Sequence, residues 1–419
     1  MRNFHPKPIQ KYDFFNRSMP YGQEQLEISP EEIKQIKNIK PTPVQLLKCK
    51  QQEGLIKVII DTDIGTDVDD AMALLYALQL PNLQLLGVTT NYGPSELRAS
   101  LAQKIVDNYQ SYQPESKEIP VIAGASLQLG THRPVFIAGN EGMPFISSDQ
   151  AFEKMNTDMW AKQDQTKAAD FIAQQVNLYP NQVKIISIGI PTNIALAIQR
   201  NKKIVSKIDE IIFMGGGTFM SKSNYNEFRQ FSRKSRDWDK NLTISAPFGI
   251  PEKENVTQWV CDGNIVHLFP NHNFSGDSMA TKYIFGQPNI KIKVIPHNIT
   301  AQFWLKGPSI AFLRHQSEQQ CETQNPFVTV GHMVEKWMQL RSQNGQCPHD
   351  PLTIHETVFG GENSVIKYVK GKLIVHEWAA FSTFVPSENG NHCVGLAVEN
   401  PDVFMNKLEK LLMSGEILK

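Results

Sequence analysis

From Lys57 onward the chain alternates between two hydrophobic periods. Six short runs rich in β-branched residues, KVII, LQLLGVTT, IPVIAG, VKIISIG, IDEIIFMGG and IKIKVIP, are apolar at consecutive positions. That is the pattern of strands buried on both faces. Between several of them stand DDAMALLYALQL, ELRASLAQKIVDNY, TKAADFIAQQVNLY and TNIALAIQRN, whose apolar residues recur at helical spacing. NPDVFMNKLEKLLM, close to the C-terminus, has the same spacing and predicts a last amphipathic helix. Strand, loop, helix and strand in repetition predicts the α/β class: an open, mostly parallel sheet with helices on both faces.

Two stretches break the rhythm. Residues 1–54 are rich in Gln, Lys and Pro, and their clearest helical signal is SPEEIKQIKNI, with Ser29 as N-cap and Pro30 at the first helical position. They read as a partly ordered N-terminal extension to a domain spanning 55–419. Within that domain, residues 218–269 carry basic and amide-rich stretches with only short apolar runs. A loop that long inside a compact domain is usually functional or mobile.

Composition narrows the partners. Lysine plus arginine equals aspartate plus glutamate, 42 of each in 419 residues, so no global field favours nucleic acid or a membrane surface. No apolar segment approaches the ~20 residues that span a bilayer, and the N-terminus lacks the apolar region of a secretory signal. Cys49, Cys261, Cys321, Cys347 and Cys393 form no CxxC pair, which suits a reducing compartment. The expectation is a cytoplasmic protein with neither nucleic-acid nor membrane partners.

The candidate chemistry begins where the first apolar run ends. DTDIGTDVDD, Asp61 to Asp70, holds five aspartates in ten positions. Helix capping accounts for one or two of them. Carboxylates that crowded repel one another unless a cation sits among them. An EF-hand loop needs glycine at its sixth position and an acid at its twelfth; counted from Asp61 those positions hold Thr66 and Met72. The D-x-D-x-T motif of haloacid-dehalogenase-type phosphatases has its threonine one residue earlier than here. A third account is an oxygen-ligated cation, Ca²⁺ first among candidates, that holds a sugar and a water.

IIDTDIGTDVDDAMALLYAL resembles the N-terminal D-x-D-P-G-x-D-D-A signature of the inosine-uridine-type nucleoside hydrolases, with Ile64 for the proline and two extra residues in the turn. Five further segments resemble that family in order: SIGIPTNIALAI, EIIFMGGG, PNHNFSGDSMA, VIPHNITAQ and CPHDPLTI, which ends on His349, Asp350 and Pro351 of an H-D-P motif. The resemblance implies a Rossmann-like fold, a calcium-dependent hydrolysis of ribonucleosides to ribose and free base, and a homo-oligomer, dimer or tetramer. It implies Asp63, Asp70, Asp350 and the Thr192 carbonyl as metal ligands. Asp63 is also the expected base toward a metal-bound water, and His349 the expected proton donor to the leaving base. Asp69 and Asn273 are implied at the ribose hydroxyls, Asn271 near the 5′-hydroxyl and Met214 beside the sugar.

Three substrate-facing positions depart from the family pattern. Pro94 and Asn271 replace an asparagine and a glutamate, and Asn140 stands for a histidine. They keep a second reading open, a catalytically weak riboside-binding relative acting as sensor or scaffold; a magnesium phosphatase is the third. The 218–269 segment reads either as a lid that reshapes selectivity or as a lineage-specific insert.

Overall fold

The computed structural model describes residues 54–65, 67–129, 162–216, 266–268, 271–306, 308–318, 324–341, 345–361, 364–375 and 382–414. The N-terminal extension up to residue 53, Asn140 and nearly all of the 218–269 insertion lie outside the described residues.

The six predicted runs become β1 (Ile56–Thr62), β2 (Leu83–Thr90), β3 (Val121–Ala123), β4 (Val183–Ser187), β5 (Ile208–Met214) and, after the short β6 (Val266–Leu268), β7 (Ile292–Ile295). Two more pieces, β8 (Leu305–Lys306) and β9 (Gly345–Gln346), pair as a separate antiparallel ribbon. β10 (Ile366–Val375), β11 (Ser382–Pro386) and β12 (His392–Val398) complete a ten-stranded sheet of order β3-β2-β1-β4-β5-β7-β12-β10-β11-β6. The seven strands from β3 to β12 are parallel; β10, β11 and β6 extend them antiparallel.

β1 explains the two-sided burial. Val58 and Ile60 face one apolar cluster, while Ile59 between them faces another, and all three are fully buried. The first cluster includes Met72 and Leu75 of α1 (Asp69–Leu78), Ile105 of α2 (Ser95–Tyr112) and Leu408 of the predicted C-terminal helix (Pro401–Ser414). The second takes Ile172 of α3 (Lys167–Leu178) and Ile194 and Ile198 of α4 (Thr192–Arg200). Each such fully buried aliphatic side chain contributes roughly 1.5–3 kcal/mol.

The strand order fixes where a ligand can enter. From β1 the chain builds outward through β2 and β3, then returns to lay β4 along the opposite edge of β1. The crevice beyond the carboxyl ends of β1 and β4 is therefore the topological switch point. Gly189 sits there because nothing larger fits: a Cβ would lie 2.5 Å from the Asp63 nitrogen and 2.8 Å from the Thr62 carbonyl carbon.

Candidate active site

β1 delivers Asp61, Thr62 and Asp63 to this crevice, and α1 begins on Asp69 and Asp70. A long return brings the last acid. β9 pairs with β8, and Gln346 Nε2 donates to Asp67 Oδ1 at 2.9 Å. The next helix, His349–Phe359, thus starts beside α1, with the Asp350 N–H donating to Asp69 Oδ2 at 3.2 Å. Asp69, Asp70 and Asp350 are buried, and each offers a carboxylate oxygen within 4.8 Å of the others. The Thr62 hydroxyl donates to Asp70 Oδ1.

The electrostatics of this group are unfavourable as it stands. Burial, then the charges of Asp63 and Asp69, pushes the Asp70 carboxyl well above the usual carboxylate range. Asp69 is raised by burial and Asp67, Asp350 by burial and Asp69. Arg98 opposes this only weakly at Asp70. Fully buried, it donates to the carbonyl oxygens of Tyr92 at 2.8 Å, Ile64 at 2.9 Å and Asp63. Several acids, hard oxygen donors and little compensating charge fit a divalent cation of the calcium or magnesium type.

Behind the cluster, Asp61 ties three elements together. Its Oδ1 accepts from Thr89 of β2 at 2.6 Å and Asn193 of α4 at 2.8 Å, while its Oδ2 is buried without a partner. Burial raises its carboxyl to about 6 against those hydrogen bonds.

His349 is half-buried at the helix start. Its ring stacks on His297 at 4.9 Å between centroids, and its Nδ1 lies 2.5 Å from the Thr300 hydroxyl. The Cys347 thiol donates to the carbonyls of Thr300 and Phe303 and contacts the same Nδ1 at 3.5 Å. Burial and the neighbouring His297 hold the His349 pKa well below the ordinary imidazole value. So lowered, the imidazole is neutral near pH 7.

The PNHN segment closes another side. Asn271 Oδ1 accepts from the Phe274 N–H at 3.1 Å, capping the one-turn helix His272–Gly276. Asn273 Nδ2 donates to the carbonyls of Ile188 at 2.8 Å and Met214 at 3.0 Å, joining the ends of β4 and β5. Met214 belongs to the core, with its sulfur 3.5 Å from Asn273 Nδ2 and 3.8 Å from Asn271 Nδ2. Thr192 opens α4, and its hydroxyl donates to Asp277 Oδ2 at 2.8 Å. Pro94 is the N-cap residue of α2.

Asp69, Asp70 and Asp350 thus meet in one triad, with Asp63 beside it, although the sequence reading gave Asp69 to the ribose. Thr300, Arg98 and His272 received no role from the sequence. His272 Nε2 stands 3.4 Å from Asp63 Oδ2. Its place inside PNHN was the available signal.

Residues 58–404 match the family model described as inosine-uridine preferring nucleoside hydrolase. Uridine nucleosidase 1 of Arabidopsis thaliana is 34% identical over 173 residues, 41% of this chain and 47% of its own length. An uncharacterised protein of Schizosaccharomyces pombe is 31% identical over 319 residues, 68% of this chain and 90% of its own. A solved plant nucleoside hydrolase shares the fold with a TM-score of 0.55 at 20% identity, covering 85% of this chain and 98% of its own. The chain spans about half the length of the first curated relatives it matches. Among the described residues no helix is long and apolar enough to cross a membrane.

Proposed function

The chain belongs to the inosine-uridine preferring nucleoside hydrolase family, and from that premise we propose that it hydrolyses the N-glycosidic bond of ribonucleosides to ribose and free base. The observation that carries this reading is the buried triad of Asp69, Asp70 and Asp350 at the switch point of the sheet. Asp63, Asp70, Asp350 and the Thr192 carbonyl are the proposed ligands of a Ca²⁺ ion. Such an ion, when bound, neutralises the acids, orients vicinal sugar hydroxyls and makes a neighbouring water easier to deprotonate.

Asp63 is the proposed base. It takes a proton from the attacking water as the oxygen bonds to C1′ and the C1′–N bond breaks, the electron pair leaving with the base. The remaining carboxylate charge suits the oxocarbenium-like sugar through which such cleavage passes. Asp69 and Asn273 are proposed at the ribose hydroxyls, Asn271 toward the 5′ end and Met214 against the sugar. His349 serves the departing base as a neutral N–H donor. The Thr300 hydroxyl has one proton and two acceptors, His349 Nδ1 at 2.5 Å and the His297 carbonyl at 3.1 Å; donated to Nδ1, it keeps the ring proton on Nε2, where a base can receive it.

Reducing-sugar release from a panel of purine and pyrimidine nucleosides, with and without chelator, tests the proposal. Turnover that chelator abolishes and calcium restores is expected. Riboside binding without ribose release in a single-turnover experiment would replace it with the sensor reading. A homodimer or homotetramer in a reducing, cytoplasmic compartment belongs to the same proposal, and sedimentation measures the first part of it.

A further inference from the structure

Two helices begin at the acidic triad. α1 carries Asp69 and Asp70 in its first turn, and the His349–Phe359 helix carries Asp350 in its own. The two pack on each other, and among the described residues two hydrogen bonds cross between them. One is at the mouth, from the Asp350 N–H to Asp69 Oδ2 at 3.2 Å. The other lies deeper, where the Tyr76 hydroxyl and His355 Nδ1 are 3.1 Å apart. At a rise of about 1.5 Å per residue it sits roughly 9 Å along α1 from Asp70 and roughly 7.5 Å along the second helix from Asp350.

This deeper contact is polar in apolar surroundings. Tyr76 and His355 are both fully buried, and the imidazole packs on Phe359 at 4.9 Å and on Phe404 at 5.1 Å between ring centroids. Burial, with Lys407 adding to it, lowers the His355 pKa from 6.5 to about 3, so the ring is neutral. A neutral imidazole has one N–H and one lone pair. Nδ1 meets the phenol, and Nε2 is buried without a partner. That leaves a cost which an apolar pair of the same shape would avoid. What the pair adds over apolar packing is direction: dispersion contacts tolerate sliding, and a hydrogen bond does not.

We propose that Tyr76 and His355 are positioning residues for the triad: their hydrogen bond fixes the register and tilt of the two helices, which keeps Asp350 within reach of Asp69 and Asp70. The like charges at the mouth push the helix starts apart, and the buried bond resists that movement from below. Without it a larger share of the ion-free protein has the acids splayed. The apparent dissociation constant of an ion rises as the competent share falls. The inference rests on the reading of the triad as a cation site, so one arm of its test uses no ion.

In calorimetric titration of the full-length protein with calcium, Tyr76→Phe should raise the dissociation constant about three- to tenfold, the equilibrium weight of one ordinary hydrogen bond. His355→Leu should do the same. Adding Tyr76→Phe to His355→Leu should cost nothing more, because the shared bond is already gone. A bond that served stability alone would lower the unfolding free energy and leave calcium affinity untouched. Dissociation constants within about twofold of the wild type, or losses that add in the double variant, would overturn the inference. In the ion-free arm, hydrogen exchange is followed by mass spectrometry in chelator. The Asp350 amide should exchange about three- to tenfold faster in Tyr76→Phe, with β4 unchanged. Equal exchange at Asp350, or an equal rise in β4, would overturn the inference too. If the wild type binds no calcium, the cation reading falls, and the exchange arm still decides whether the Tyr76–His355 bond holds the helix starts together.

Discussion

Replacing Asp350 by Asn should stabilise the metal-free protein and weaken the response to calcium. The carboxylates of Asp69, Asp70 and Asp350 approach within 4.8 Å of one another. Two unit charges at that distance repel by about 3.5 kcal/mol at an effective dielectric constant of ~20. Asp350 has two such neighbours, so full ionisation would cost about twice that. The raised pKa values of all three acids mean that proton uptake relieves much of the repulsion. A net gain on the order of 1–3 kcal/mol is expected for the variant near pH 8. An amide of the same shape leaves the Asp350 N–H free to donate to Asp69 as before. Urea unfolding of both proteins in chelator, then in calcium, measures each half. The wild type should gain about 2.7 kcal/mol at a hundredfold excess of ion over its dissociation constant, and the variant much less. A variant less stable than the wild type in chelator would refute the claim that the triad is under net repulsion.

Gly189→Ala should lose about 1–3 kcal/mol of stability and a larger share of activity, since its methyl would strike the Asp63 backbone. Gly286→Ala, whose methyl meets the Lys282 carbonyl at 3.2 Å, is the control, and equal kcat/KM in the two variants would exclude the mechanism. His349→Ala should slow base release and spare calcium affinity, while Thr300→Val should give a smaller loss in the same direction; unchanged inosine and uridine turnover in His349→Ala would remove its assignment. The stability difference between wild type and His392→Gln should shrink with acidity. The buried His392 ring accepts from the Leu373 N–H at 2.8 Å, and burial lowers its pKa from 6.5 to about 4. Between those values the unfolded chain binds the extra proton, so the neutral ring's contribution is complete above 6.5 and declines by about 1.4 kcal/mol per unit as pH falls toward 4. Unfolding free energies from pH 7 to 4 should show that slope, and a flat difference would contradict it.

The parallel half of the fold was legible because its strands are buried on both faces and read as unbroken apolar runs. The antiparallel extension was not. Ile366–Val375 alternates buried and exposed positions over much of its length, and such a strand competes with turn and helix readings of the same letters. The helix Pro326–Arg341 is not among the predicted elements: it is buried over most of its circumference, as at Phe327, Val328, Val330, Met333, Val334, Trp337 and Met338, and only His332, Glu335, Lys336 and Gln339 form a narrow polar face. At the site, the aspartates announced themselves by local density and Asp350 by its motif. Arg98 and Thr300 could not, because the Asp63 carbonyl and the His349 ring come near them only in the tertiary fold. The neutral state of His349 likewise comes from the stacked His297 and from burial, which its own tripeptide does not encode.

Asp69 and Asp350 lie 281 positions apart in the chain, so no fragment that stops short of the second can assemble the acidic triad. Contacts between such remote segments form late and slowly. On the proposed ligand set, calcium affinity should therefore emerge only when synthesis and closure of nearly the whole polypeptide are finished, making ion uptake a clock for the end of folding.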